Sequence, residues 1–307
     1  MADNNQQWPD LPCNIKLFLS ILSFFVDITR CCDRTVNSFL MSFFDLRTFP
    51  SKKPINGRVK TSDIAVERTK ILWFRLYIPT ANNTTPSAAS NGAGLHVIFF
   101  FHDGGFTYFA PDSKFYDDFC YRLAGDSAGG KLAHHVALKA SEHEFSRIEL
   151  IGNILNQPFF GGEERTESEL RLTRAPFISM ELTDWIWKAF LPKGDNRDHQ
   201  TVNVFGPNSI DISKFKFPKT IIFVGGYDPL QDWVRSYHEG LRKSTKEVYL
   251  VEYPNAMHTF YLFPELPECS SVIKAMRDFM QSNHQGWPTI QFLSTSIGLN
   301  WNHAKSV

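Results

Sequence analysis

The chain has 307 residues, 43% of them apolar and 21% charged, and its 32 basic and 32 acidic side chains cancel. That length allows one or two ordinary domains and excludes a fibre or a solvated tail. A balanced charge leaves no surplus for holding a polyphosphate backbone, so no nucleic-acid partner is expected.

Residues 1–47 read as helical. Within them the apolar run 17–26 (LFLSILSFFV) spans ten residues, about half of what a bilayer-crossing helix needs. Asp3 and Asp10 before it do not suit a signal peptide. The run is read as an amphipathic helix packed on the body without stable membrane insertion, a membrane-surface role being the alternative. A turn-rich connector, 48–57 (TFPSKKPING), closes an N-terminal unit of residues 1–57. β-Branched and aromatic runs at 59–66 and 71–78 predict a strand pair, and 79–94 reads as a surface loop.

The continuous apolar run 95–101 (LHVIFFF) predicts a strand buried on both faces, ending at His102-Asp103-Gly104-Gly105. Further strand patterns at 149–155, 220–224 and 248–251 alternate with helical ones at 130–141, 181–190, 233–243 and 270–282. Alternation of this kind means α/β with a mostly parallel central sheet over residues 58–283. Residues 284–307 show no period and read as an appended tail. Five cysteines (Cys13, Cys31, Cys32, Cys120 and Cys269) form no CxxC or zinc-spaced cluster, which implies a reducing, cytoplasmic setting without a structural metal. Twenty-eight phenylalanines point to a large aromatic core or an apolar cavity.

Gly125-Asp126-Ser127-Ala128-Gly129 fits G-x-S-x-G, in which small neighbours let a sharp turn push a serine hydroxyl out of the backbone, and a helical pattern follows at once as that turn requires. Serine needs a base to become a nucleophile near neutral pH, and the base needs an orienting carboxylate. The order serine, acid, histidine is met by Asp228, which follows the strand at 220–224 and a Gly-Gly turn, and by His258, which follows the strand at 248–251. The loop His102-Asp103-Gly104-Gly105 stands where an oxyanion hole belongs, and the expected donors are the amides of Gly104, Gly105 and Ala128. Phe106, Tyr108 and Trp185 are candidate linings of the cleft.

These segments together resemble the plant carboxylesterases of the hormone-sensitive-lipase group, the family that also contains the gibberellin receptors. The matching stretches include Leu72-Trp-Phe-Arg-Leu-Tyr, His102-Asp-Gly-Gly-Phe, Gly125-Asp-Ser-Ala-Gly-Gly, Asn156-Gln-Pro-Phe-Phe-Gly-Gly, Glu163-Glu-Arg-Thr-Glu-Ser-Glu and Gly225-Gly-Tyr-Asp-Pro-Leu-Gln-Asp, over residues 10–282. The resemblance implies an α/β-hydrolase fold with an N-terminal helical cap. It also implies serine esterase activity on small carboxylic esters with Ser127, Asp228 and His258 as the triad, and no cofactor. The receptor branch lacks the histidine, so His258 favours an esterase. The sequence leaves the natural ester and the oligomeric state open.

Three features depart from the family. Asp103 replaces a glycine and brings a carboxylate to a site that must stabilise an oxyanion, so reduced activity is expected. Only residues 106–124 separate the oxyanion loop from the elbow, where two βαβ units would take on the order of 60 residues. The sheet is therefore expected to be incomplete, its fourth-strand region missing, as in an exon-skipped chain. A short helix over 111–118 and a strand over 119–124 would join the third and fifth strands directly, with a gap left on the other side of the third. The third departure is the stretch 284–307, outside the resemblance. A catalytically inactive binder or a misfolded splice form is the alternative to an active esterase.

Overall fold

Apolar runs of four to eight residues bounded by turns become strands, and the computed structural model places them accordingly; it describes residues 9–51, 59–67, 72–79, 97–114, 116, 127–142, 150–282 and 293–298. β1 (Val59–Glu67) and β2 (Leu72–Pro79) pair antiparallel, and β3 is Val97–Phe101. β4 (Asn153–Asn156), β5 (Thr220–Gly225) and β6 (Val248–Tyr253) form a parallel sheet in that order. The expected strand at 149–155 thus begins later, at Asn153. The proposed helix-strand crossover at 111–124 lies largely outside the described residues, as does the loop 80–94.

β5 shows why the sheet is covered on both faces. All six of its residues are buried, and because strand side chains alternate, Ile221 and Phe223 join one core while Ile222 and Val224 join another. The first core takes Val272, Met276 and Phe279 from helix α7 (Pro267–Ser282) and Ile15 and Leu19 from α1 (Cys13–Thr29). The second takes Leu138 from α3 (Ala128–Ser141) and Val234, Tyr237 and Leu241 from α6 (Gln231–Lys243). Each such fully buried side chain contributes roughly 1.5–3 kcal/mol.

The N-terminal helices form a cap. In α1 the buried residues Ile15, Leu19, Leu22, Val26 and Thr29 recur at spacings of four and three, one stripe of a helix. Leu22 and Val26 meet Met41 of α2 (Ser38–Ser42) and Tyr108, with Leu182 and Trp185 of α5 (Met180–Phe190) packed against them. The opposite face of α1 is also apolar, with Leu17, Ile21, Phe24 and Ile28 exposed, which is why the run 17–26 carries so little alternation. Among the described residues no helix is long and apolar enough to cross a membrane. The cap connector is fastened to the sheet by buried Arg75, which donates to both oxygens of Asp63 at 2.7 and 2.9 Å and to the carbonyl of Thr48 at 2.9 Å. A short helix, α4 (Glu167–Arg171), carries a capping box between Thr166 and Glu169.

Among the described residues the strands form a four-strand and a three-strand part, the strand expected at 119–124 lying outside those residues, but the stretch read as an appended tail is not an appendage. Leu293–Gly298 form β7, which lies between β2 and β3. It runs antiparallel to β2, from Trp73↔Gly298 to Tyr77↔Ser294, and parallel to β3, from Val97↔Leu293 to Phe101↔Ile297. This is the gap that loss of the fourth strand opens beside the third. Without β7, β2 and β3 would present facing rows of unpaired amides and carbonyls, and the aperiodic sequence LSTSIG is recruited because backbone pairing demands little of the side chain. Deleting residues 284–307 is expected to lower the midpoint of thermal unfolding and broaden the transition, read by circular dichroism; an unchanged melt would show β7 to be dispensable.

Candidate active site

Ser127 precedes α3 with φ 43° and ψ −110°, a conformation that side chains rarely adopt. Its backbone is fixed from one side by the end of β4: the Ser127 amide donates to Asn156 O at 2.8 Å, and the Phe159 amide donates to Ser127 O at 3.0 Å. Gly129 is required because a β-carbon there would lie 1.8 Å from the carbonyl oxygen of Phe101. Gly125 and Asp126 lie outside the described residues. The hydroxyl of Ser127 is 2.9 Å from His258 Nε2, and His258 Nδ1 is 2.7 Å from Asp228 Oδ2. A carboxylate only accepts, so Nδ1 carries the proton and Nε2 is left to accept from the serine. All three residues are buried; Asp228 follows β5 and His258 follows β6, while Ser127 stands directly before α3.

His258 is under opposed influences. Burial lowers its pKa, but the charge and hydrogen bond of Asp228 and the charge of Asp103 outweigh it, and the pKa is raised above the usual 6.5. A hydroxyl, imidazole and carboxylate in this chain can activate the hydroxyl as a nucleophile when the imidazole is neutral.

The glycine loop after β3 carries Gly104 at φ 123° and Gly105 at φ 54°, and a β-carbon on Gly104 would lie 1.9 Å from Tyr108 O. Its amides therefore approach a ligand without a side chain between. Asp103 enters the same space: its Oδ1 accepts the Gly105 amide at 3.3 Å. His102 is half-buried, with Nδ1 2.6 Å from Asp103 O, and its desolvation lowers its pKa. The cleft holds about 230 Å³ and is lined by Asp103, Gly104, Gly105, Ser127 and His258 beneath walls that include Tyr108, Phe159 and Phe177. Of the three expected aromatic linings only Tyr108 faces it. Phe106 stacks on Phe190 with centroids 4.4 Å apart, and Trp185 packs behind Tyr108 at 6.2 Å.

The sequence reading missed the residues that hold this chain of contacts in place. Gln157, at the end of β4, brackets His258: its Nε2 donates to Met257 O at 3.0 Å and its Oε1 accepts the Thr259 amide at 2.7 Å. Ser168 of α4 donates to Pro229 O at 2.8 Å and takes Asp232 Oδ2 on its amide at 2.8 Å, which ties the Glu163-to-Glu169 motif to the loop of Asp228. Leu230 N donates to Asp228 Oδ1 at 2.9 Å, so only Oδ2 is left for the histidine. The available signal was a glutamine directly after a buried apolar strand.

Lys131, one turn into α3, is fully buried and finds no hydrogen-bond partner among the described residues. Its Nζ lies 3.8 Å from the centroid of Phe190, 4.7 Å from Phe106 and 4.8 Å from Trp187. Burial drives its pKa well below the usual lysine value.

With this geometry in view, the similarities to known proteins can be read. A family model described as the alpha/beta hydrolase fold matches residues 121–262. Gibberellin receptor GID1C of Arabidopsis thaliana is 32% identical, over 90% of this chain and 96% of the relative. The chain belongs to the family of plant carboxylesterases and gibberellin receptors. Carboxylesterase 20 of the same plant is 28% identical over 73% of this chain and 86% of the relative. Among solved structures, carboxyl esterase 2 of the fungus Tuber melanosporum superposes with a TM-score of 0.63 at 16% identity, over 90% of this chain and all of that one. An esterase of Pyrobaculum calidifontis gives 0.60 at 18%, over 89% and 98%. At such identity these two establish the fold, which is that of an α/β-hydrolase. The receptor alignment runs over 333 residues although this chain supplies only 90% of its 307. The receptor thus carries residues that have no counterpart here, in line with the short spacing before the elbow.

Two outcomes follow from the supporting residues. Gln157→Leu leaves a buried amide and a buried carbonyl without partners and is expected to cost about 1–3 kcal/mol for each, read by denaturant unfolding. Lys131→Met removes an uncompensated amine at similar volume and is expected to stabilise by about 1–3 kcal/mol, raising the melting midpoint by several degrees.

Proposed function

We propose that the chain is a serine carboxylic-ester hydrolase acting on small carboxylic esters, with Ser127 as nucleophile, His258 as base and Asp228 as orienting acid. The observation that carries this reading is the continuous contact Ser127 Oγ to His258 Nε2 to Asp228 Oδ2, at 2.9 and 2.7 Å. His258 takes the hydroxyl proton as Ser127 Oγ bonds to the ester carbonyl carbon. The resulting oxyanion rests on the amides of Gly104, Gly105 and Ala128. Collapse breaks the bond to the alcohol, which leaves with the proton from His258. Water, deprotonated by the same histidine, then attacks the acyl-serine and releases the acid. No step calls for a metal or an organic cofactor, and the free thiols of Cys13, Cys31 and Cys32 suit a reducing cytoplasm.

Asp103 sets the rate. Its carboxylate already takes the Gly105 amide and places negative charge where an oxyanion must develop, in a site too dry to screen it. That observation, with the similarity to proteins named gibberellin receptors, favours a second reading in which the cleft binds a small molecule without turning it over.

Intact mass after exposure to a fluorophosphonate separates the two. The hydrolase reading expects one adduct on the parent chain and none on Ser127→Ala; a parent chain that melts cooperatively and takes no label leaves the binder. Asp103→Gly is expected to label faster than the parent by about one order of magnitude or more. Labelling requires neutral His258, whose pKa is raised. The rate therefore falls on acidification with a midpoint above that of an ordinary imidazole, about 6.5, and Asp103→Asn moves the midpoint to lower pH.

A further inference from the structure

Asp103 is a buried carboxylate with too little to replace its water. It is 5% exposed, and among the described residues its side chain meets one donor, the Gly105 amide at a long 3.3 Å. A single neutral hydrogen bond does not compensate the desolvation of an ionised carboxylate. The residue lines the cleft, so a cationic ligand entering there would supply a partner that one long amide contact does not.

The walls select the same sign of charge. Tyr108, Phe109, Phe159 and Phe177 line the cleft, and the faces of aromatic rings attract cations. A second carboxylate, Asp27, stands among the lining residues, though it is paired with Arg30 at 2.7 Å. Arg174 also lines the cleft, but it is exposed and its charge is screened by solvent. Of the titratable groups facing Asp103, His102 and His258 both feel its charge, and when both imidazoles are neutral no cation among the described residues is paired with the carboxylate. No group of three or more His, Cys, Asp and Glu side chains suited to a metal occurs among the described residues, so the ligand chemistry indicated is an organic cation. A neighbouring apolar chamber of about 270 Å³ shares Leu22, Phe109 and Phe177 with the cleft and gives the ligand's body a place.

We propose that the cleft is a binding site for a protonated organic amine, its ammonium on Asp103 and its apolar body against the aromatic walls and the adjoining chamber. The cation occupies the space in which an ester's oxyanion would form, so amine binding and acyl transfer at Ser127 exclude one another. The proposal concerns the same cleft as the hydrolase reading and stands without turnover.

The test is calorimetric titration of the full chain at pH 8 with three ligands of equal length, hexylamine, hexanol and hexanoate. At that pH the amine, whose pKa is close to that of a lysine at about 10.4, is charged. Hexylammonium is expected to bind about tenfold or more tighter than hexanol, with hexanoate the weakest. Asp103→Asn is expected to erase the preference, and Asp27→Asn to keep it. Equal binding of amine and alcohol by the parent chain overturns the proposal, as does a preference that survives in folded Asp103→Asn. Should Asp103→Asn fail to melt cooperatively, the comparison of the three ligands on the parent chain decides alone. Amine preference in a chain that takes no fluorophosphonate label sinks the hydrolase reading and leaves this one standing; a labelled chain without the preference does the reverse.

Discussion

The site depends on how the backbone of Ser127 is held. Its φ of 43° and ψ of −110° are unfavourable for a residue with a β-carbon, and the conformation persists because two hydrogen bonds to Asn156 and Phe159 close around it. Both partners lie at or just past the end of β4, within the three-strand sheet. The elbow is thus anchored from the strand that follows it in the chain. This is why the contact from serine to histidine to carboxylate can stand although so few residues precede it.

The same strand end carries the next layer of support. Gln157 follows directly and fixes His258 through the peptides on either side of it, while Ser168 and Leu230 fix the loop and the second oxygen of Asp228. Each of these is a buried polar contact that is costly to leave open. Ser127, His258 and Asp228 are therefore aligned by bonds between side chains and main chain, most of them supplied by residues 153–282. The four-strand sheet contributes the glycine loop after β3 and the floor beneath Gly129.

Much of this was legible because the chemistry constrains sequence tightly. Ser127 had to lie between glycines and before a helix, and Asp228 and His258 had to follow apolar strands; all three occur in contact. The strand pair β1–β2, the strand β3 and the helices α3, α5, α6 and α7 likewise declared themselves through period and apolar content, but β3 is not buried on both faces as its continuous apolar run implied, because Phe99 is 47% exposed. Three things did not. β7 pairs through its main chain in a slot flanked on both sides, so its side chains need no strand pattern, and the stretch looked like a tail. Gln157 acts through peptides a hundred residues away, a relation no local pattern encodes. Phe106 turned away from the cleft because Lys131 and Phe190 gather its ring beneath the loop.

Two side chains, Lys131 and Asp103, are buried without a full set of polar partners among the described residues, and they differ in kind. Lys131 is enclosed by rings with no opening toward a ligand, and burial forces it toward the neutral amine. It acts as a polar group filling apolar volume, a cost to stability with no visible return. Asp103 lies beside an open cleft, keeps one amide of the glycine loop for itself and extends its charge to His258. A local conflict that only lowers stability is a defect, whereas one that faces solvent-accessible space changes what the space will hold. An anion fixed among Gly105, His258 and four aromatic rings disfavours the build-up of a second anion and favours a cation. The side chain that would slow ester cleavage and the side chain that would choose an amine are therefore one and the same, and both effects follow from its depth rather than from its identity alone.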